Sequence, residues 1–315
     1  MSDQPGRPMR IMLGSDDSPA ARAAEAWLAR ARWADPPVVD VVSVAKRPIS
    51  YLGWGPELSS AARRRAIADL RQHELERAQQ TANDVGERLQ AAGHVVHAWA
   101  REGDPAEALL DAIQDVEPDL VAVGPGNRPA LARLFVGSVS RRIIEGTQLP
   151  ILVARGPLPD DGPLPAHVAI LVGELAGGRP AVTGGVRWLA RAGWLRDARV
   201  TLVGFLGSYA GIDPREQQLA EELLEARRAE ATRLLDVLAA ELPGDVGEVA
   251  VQLLTGDPFG ASLAALADGS HDLVVVGRIP VRRGTASFGE RIAAEAPVSV
   301  LLVPATLAPP VAAAP

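Results

Sequence analysis

Three short stretches carry residue types suited to holding an anion. Gly14-Ser15-Asp16-Asp17-Ser18 closes the apolar run Arg10–Gly14. Gly124-Pro125-Gly126-Asn127-Arg128 follows the apolar run Leu120–Val123, and nine residues separate Asn127 from Gly137-Ser138-Val139. Gly124 and Gly126 would let the backbone approach a ligand closely. Asn127 tolerates left-handed backbone better than most residues. A helix opening on Gly137-Ser138 would offer unpaired N–H groups and a hydroxyl, a natural phosphate site. Asp16 could accept hydrogen bonds from a sugar or base, but would repel a phosphate placed beside it. A tight turn and a helix cap use the same residues, so each stretch alone says little. The three together read as an anion cradle.

Such a cradle needs elements that bring the three stretches together. Arg10–Gly14, Val38–Val44, Val95–Ala100, Leu120–Val123 and Ile151–Val153 read as strands. The shortest are apolar throughout, as in a parallel sheet covered on both faces. Asp17 or Ser18 can cap a helix with Pro19 in its first turn, and Ala20, Ala24, Trp27, Leu28 and Ala31 fall on one face of it. A long helix covers roughly 58–92, with Leu75, Ala78, Ala82, Val85 and Leu89 as its apolar stripe. Asp104-Pro105-Ala106-Glu107 starts another helix, with Asp104 as cap and Glu107 placed to reach back in a capping box. Regular strand–helix alternation predicts right-handed crossovers and a doubly wound α/β sheet. Ligands bind beyond the carboxyl ends of such strands, where the strand order reverses.

The pattern occurs twice. GDPAEALL at 103–110 recurs as GDPFGASL at 256–263, and PDLVAVG at 118–124 as HDLVVVG at 271–277. Trp27-Leu-Ala-Arg-Ala-Arg-Trp33 recurs as Trp188-Leu-Ala-Arg-Ala-Gly-Trp194. The order is kept at a nearly constant step of about 150 residues, which means duplicated domains and not a solenoid. The domains span 8–155 and 166–304. The Pro-, Gly- and Asp-rich stretch 156–165 reads as a linker, and 305–315 as a disordered tail. In the second copy the cradle is altered. Gly173-Glu174-Leu175 replaces the acidic turn, Gly277-Arg278-Ile279-Pro280 has no second glycine, and Glu290 takes the serine position.

Composition narrows the function. The 315 residues are 47% hydrophobic and 23% charged, the balance of a globular protein, with net charge −7. No long basic stretch offers itself to nucleic acid or an anionic membrane. Absence of cysteine excludes disulfides and thiolate metal sites. No apolar run approaches the length of a membrane span, and the N-terminal MSDQPGRPMR lacks the apolar core of a signal peptide, so a cytoplasmic protein is expected. Lys46 is the only lysine, and its neighbours do not form the phosphate-loop motif G-x-x-x-x-G-K-[ST]. His94-x-x-His97 lacks a third metal ligand. No nucleophile elbow G-x-S-x-G is present. Trp27 and Trp188 read as core, Arg141-Arg142 and Arg282-Arg283 as solvated faces, and Asp40, Asp104, Asp119, Asp257 and Asp272 as boundaries of strands or helices.

The order strand-D-x-S, GDPAEALL, DLVAVG, G-x-x-N, nine residues, G-S-V-S and a closing LPILVA resembles the universal stress protein family. The likeness covers nearly all of residues 8–155, and 166–304 more loosely. The family signature is G-x-x-G, nine residues, then G-[ST]. Gly124, Gly137 and Ser138 keep their places, Asn127 stands where the second glycine belongs, and Gly126 lies one residue early. The resemblance implies a Rossmann-like domain with a five-stranded parallel sheet in the order 3-2-1-4-5, flanked by helices. It implies that Asp16 contacts a nucleoside, that Asp17 replaces a common glycine, and that Val44 meets adenine through its backbone. It further implies ATP, or AMP or ADP, held in the first domain by Ser15, Asp16, Asp17, Val44, Gly124, Gly126, Asn127, Arg128, Gly137, Ser138 and Val139. Magnesium would come without dedicated protein ligands. The two domains would pair through their last strands, and a homodimer is possible. The expected role is stress-response regulation through nucleotide binding, with no catalytic residues. The alternatives are an interaction module with decayed sites and a slow ATP hydrolase. A nucleotide α-hydrolase or electron-transfer flavoprotein follows from fold analogy alone.

Overall fold

Every apolar run singled out above is a strand in the computed structural model. It describes residues 7–46, 60–126, 137–155, 158–159, 161–173, 179–206, 217–278 and 286–304. Asn127, Arg128, the Arg282-Arg283 pair, the tail 305–315 and part of the linker lie outside these residues. The chain divides into two units, the first built from Met1–Arg30, Asp35–Ala130 and Val136–Ala154. The second is built mainly from Arg155–Pro315 and also takes Ala31–Ala34.

The first unit runs β1 (Arg10–Gly14), α1 (Pro19–Arg30), β2 (Val38–Ala45), α2 (Ser60–Ala91), β3 (Val95–Glu102), α3 (Pro105–Val116), β4 (Leu120–Val123), α4 (Ser138–Gly146) and β5 (Ile151–Val153). All its strand pairs are parallel, in the order β3-β2-β1-β4-β5. Met12 of β1 pairs with Asp40 on one side and Val121 on the other, so the order reverses between β1 and β4. β4 and β5 are buried along their whole length, as their unbroken apolar sequences require. β3 is the outer strand, and Val95 and Trp99 on it are about half exposed. Trp27, Leu28, Ala82, Val85 and Leu89 are fully buried between helices and sheet.

Local chemistry sets the helix ends. Asp104 caps α3 by accepting the N–H groups of Ala106 (3.1 Å) and Glu107 (3.2 Å). Glu107 does not close the predicted capping box, because its carboxylate accepts from Arg142 at 3.1 Å, and Arg142 also binds Asp104 at 2.7 Å. Ala31 is not the last residue of the α1 stripe. The helix ends at Arg30, and Ala31 forms an isolated parallel bridge to Leu164. Asp40 is not a strand boundary either. It sits fully buried inside β2, accepting from Arg10 Nε (2.7 Å), Trp99 Nε1 (3.0 Å) and bonded to His97 Nδ1 (3.2 Å). Burial alone would push its pKa up, but Arg10, Trp99 and His97 outweigh burial and hold it below the ordinary carboxylate range.

The second unit repeats the plan with β6 (His167–Leu171), α5 (Arg179–Ala192), β7 (Arg199–Leu206), α6 (Gln217–Ala240), β8 (Glu248–Thr255), α7 (Pro258–Leu266), β9 (Leu273–Arg278), α8 (Phe288–Glu295) and β10 (Ser299–Pro304). Its parallel order is β8-β7-β6-β9-β10. Asp257 caps α7 through the Gly260 N–H at 2.7 Å, with Pro258 in the first turn as Pro105 is in α3. The repeated GDP triplet is therefore a repeated helix start. Trp188 is buried in this unit as expected, its ring edge-on to Trp194 with centroids 5.1 Å apart.

Candidate functional site

The turn after β1 is tied to itself. Ser15 extends the sheet, its N–H donating to the Val42 carbonyl at 3.0 Å. Its hydroxyl accepts the Asp17 N–H (3.2 Å), and Asp16 Oδ1 accepts the Ser18 N–H (3.1 Å). Ser18 then caps α1 by accepting the Ala21 N–H at 3.3 Å. Asp17 has φ 55°, a left-handed backbone, which gives the physical reason a glycine would suit this position. Its carboxylate takes both Arg22 (2.9 Å) and Arg88 (2.8 Å). Arg22 foremost, and then Arg88, holds the Asp17 carboxyl below its ordinary pKa.

The β4 end is organised by glycines. A Cβ on Gly124 would lie 2.1 Å from the Ala20 carbonyl oxygen, so this glycine exists to let β4 pass the first turn of α1. That differs from the reading of Gly124 as room for a ligand. Gly126 has φ 97°, and a Cβ there would meet the Gly137 Cα at 2.5 Å. The Gly137 N–H donates to the Pro125 carbonyl at 2.6 Å. The backbones at Gly126 and Gly137 thus touch and form a neck at the start of α4. Gly137 is the N-cap of α4, as the sequence suggested, and Ser140 fastens the helix start to β4 by donating its hydroxyl to the Gly124 carbonyl at 2.8 Å. The first-turn N–H groups of α4 have no acceptor within the helix.

These ends enclose a cleft of about 200 Å³ beyond the carboxyl ends of β1, β2 and β4. Of the residues expected from sequence, Ser15, Asp16, Val44, Gly124, Gly126, Gly137, Ser138 and Val139 line it. Asp17 does not; its carboxylate is turned to Arg22 and Arg88. Asn127 and Arg128 lie outside the described residues. Sequence reading missed Val42, Lys46, Pro105 and Leu109, which also line the cleft. Pro105 and Leu109 belong to α3, and no local pattern marks a helix that contributes from across the sheet. Gly14 adjoins the same leucine, since a Cβ would stand 3.1 Å from Leu109 Cδ1. Val42 was legible in principle, being two residues before Val44 on the same strand face. No group of three or more metal-ligating side chains occurs among the described residues. His94 and His97 serve separate partners, the Leu28 carbonyl and Asp40.

The universal stress protein family model matches residues 8–155, the stretch that forms this sheet and cleft. Residues 8–155 are a universal stress protein domain. A universal stress protein of Mycobacterium tuberculosis is 24% identical over 292 residues, covering 89% of this chain and 88% of that one. A universal stress protein of Methanocaldococcus jannaschii is 28% identical over 82 residues, where the match spans 26% of this chain and 48% of the relative. Among solved structures, a universal stress protein from Archaeoglobus fulgidus superposes with TM-score 0.60 at 16% identity, over 94% of this chain and 98% of that one. A putative universal stress protein from Pseudomonas aeruginosa gives TM-score 0.58 at 11% identity, over 94% and 93%. At such identities the likeness is one of fold.

The second unit treats the corresponding place differently. A Cβ on Gly289 would lie 2.8 Å from the Gly277 carbonyl oxygen, so strand end and helix start are again in close contact. Yet α8 opens with a complete capping box. The Ser287 hydroxyl accepts the Glu290 N–H (3.2 Å), and Glu290 Oε2 accepts the Ser287 N–H (2.8 Å). The helix start therefore already holds a carboxylate of its own. Arg278 at the end of β9 is buried, which lowers its pKa, and the negative Glu290 partly offsets that.

Proposed function

We propose that the first unit binds an adenine nucleotide, ATP foremost with AMP or ADP as alternatives, and that the protein works as a stress-response regulator by binding and not as a dedicated enzyme. One observation carries this reading. The cleft brings a carboxylate (Asp16), an apolar strand end (Val42, Val44) and an open helix start (Gly137, Ser138, Val139) to one place. An apolar slot suits a base, a carboxylate suits ribose hydroxyls, and a helix N-terminus suits phosphate. The family resemblance assigns Asp16 to the nucleoside and Val44 to adenine. Magnesium would arrive on the phosphates, since the described residues offer no ligand cluster for it.

Isothermal titration with ATP, ADP and AMP tests the proposal, together with the identity of any nucleotide released on denaturing the purified protein. Binding that is lost in Gly137→Ala supports it. Absence of heat with all three nucleotides at millimolar concentration, and no released nucleotide, would sink it. Phosphate release above buffer that Asp16→Ala abolishes would contradict the non-catalytic part.

The second unit carries a different proposal. Its helix start is capped by Glu290, which favours the role of an interaction or scaffold partner that leaves nucleotide to the first unit.

A further inference from the structure

We propose that Lys46 sets the charge preference of the first-unit cleft, making it select nucleoside polyphosphates over monophosphates and nucleosides. The inference rests on the nucleotide reading above and adds the ligand's charge to it. Lysine and arginine together number 32, and Lys46 is the only lysine. It follows β2 directly, is exposed, and lines the cleft two residues beyond Val44.

Among the described lining residues only Asp16 and Lys46 are formally charged. They cancel. Without Lys46 the described lining residues would be net negative, in a chain that already carries −7, a balance that disfavours each added phosphate. The strand order places Lys46 on one side of β1 and the start of α4 on the other. Two strand spacings separate these places, roughly 10 Å. The lysine stem reaches across part of that gap, and attraction between charges acts over what remains on phosphates held at α4. The same flexible stem lets the ammonium close on a chain of them, as a point charge and without the fixed fork of a guanidinium. Its contribution grows with the number of ligand charges, which is the origin of the selectivity.

The test is a ladder of dissociation constants for adenosine, AMP, ADP and ATP with the wild type, Lys46→Gln and Lys46→Arg, at low and high salt. Lys46→Gln is expected to weaken ATP about tenfold and AMP about twofold, leave adenosine unchanged, and lose most of this difference at high salt. Lys46→Arg should keep most of the ATP affinity. Equal weakening of adenosine and ATP would assign Lys46 a packing role and overturn the proposal, as would unchanged ATP binding.

A second measurement needs no nucleotide. Pyridoxal 5′-phosphate and pyridoxal each condense with an amine, losing water, and borohydride reduces the imine to a stable secondary amine. With the wild-type chain, labelling of Lys46 relative to the N-terminal amine should be severalfold higher for the phosphorylated aldehyde, and inorganic phosphate should reduce it. Equal ratios for the two aldehydes overturn the role of Lys46. A preference for the phosphorylated aldehyde in a protein that binds no adenine nucleotide overturns only the nucleotide reading.

Discussion

Gly124 shows how one atom can be forbidden for a reason that sequence does not reveal. Its place in the signature suggested room for a ligand, whereas its missing side chain clears the Ala20 carbonyl. Gly124→Ala should therefore lower stability by roughly 1–3 kcal/mol even without ligand, read as a shifted denaturant midpoint. An unchanged midpoint would return the position to the ligand. Asp40 supports a second prediction, about pH. Its folded pKa is depressed by Arg10, Trp99 and His97 acting against burial. The stability it contributes is therefore present above its unfolded pKa, near 4, and lost as pH falls through the lower folded value. Asp40→Asn should flatten the acid limb of the stability curve below about pH 4. It should also destabilise at neutral pH by about 2–4 kcal/mol by leaving Arg10 without its carboxylate. An acid limb as steep as that of the wild type would assign the loss to other carboxylates.

At the level of elements, the sheet was largely legible and the cleft only partly so. Strands such as Leu120–Val123 and Ile151–Val153 are fixed by apolar runs that no other arrangement covers, and the helix starts at Asp104 and Asp257 by local capping chemistry. What escaped was non-local. Asp40 looks like a strand end until Arg10 and Trp99 from the flanking strands are seen to satisfy it. Glu107 fits a capping box until Arg142, far along the chain, claims it. Lys46 is a lone lysine outside any phosphate-loop motif until β2 is placed beside β1. The capping box of α8 offers a check at this scale. Ser287→Ala should cost the second unit about 1 kcal/mol, visible in thermal unfolding, and Glu290→Gln somewhat less. If neither variant shifts the transition, the two hydrogen bonds contribute nothing to that helix start.

For the whole molecule, the two copies share a scaffold while their helix starts differ in what they hold. In titrations that detect binding, the expected stoichiometry is one nucleotide per chain and not two; a value of two would show that the Glu290 cap yields to phosphate. The contact between Gly126 and Gly137 reaches further than binding. The two glycines act as a clasp that closes only when hydrogen stands in place of both side chains, and a methyl group on either would part the end of β4 from the start of α4.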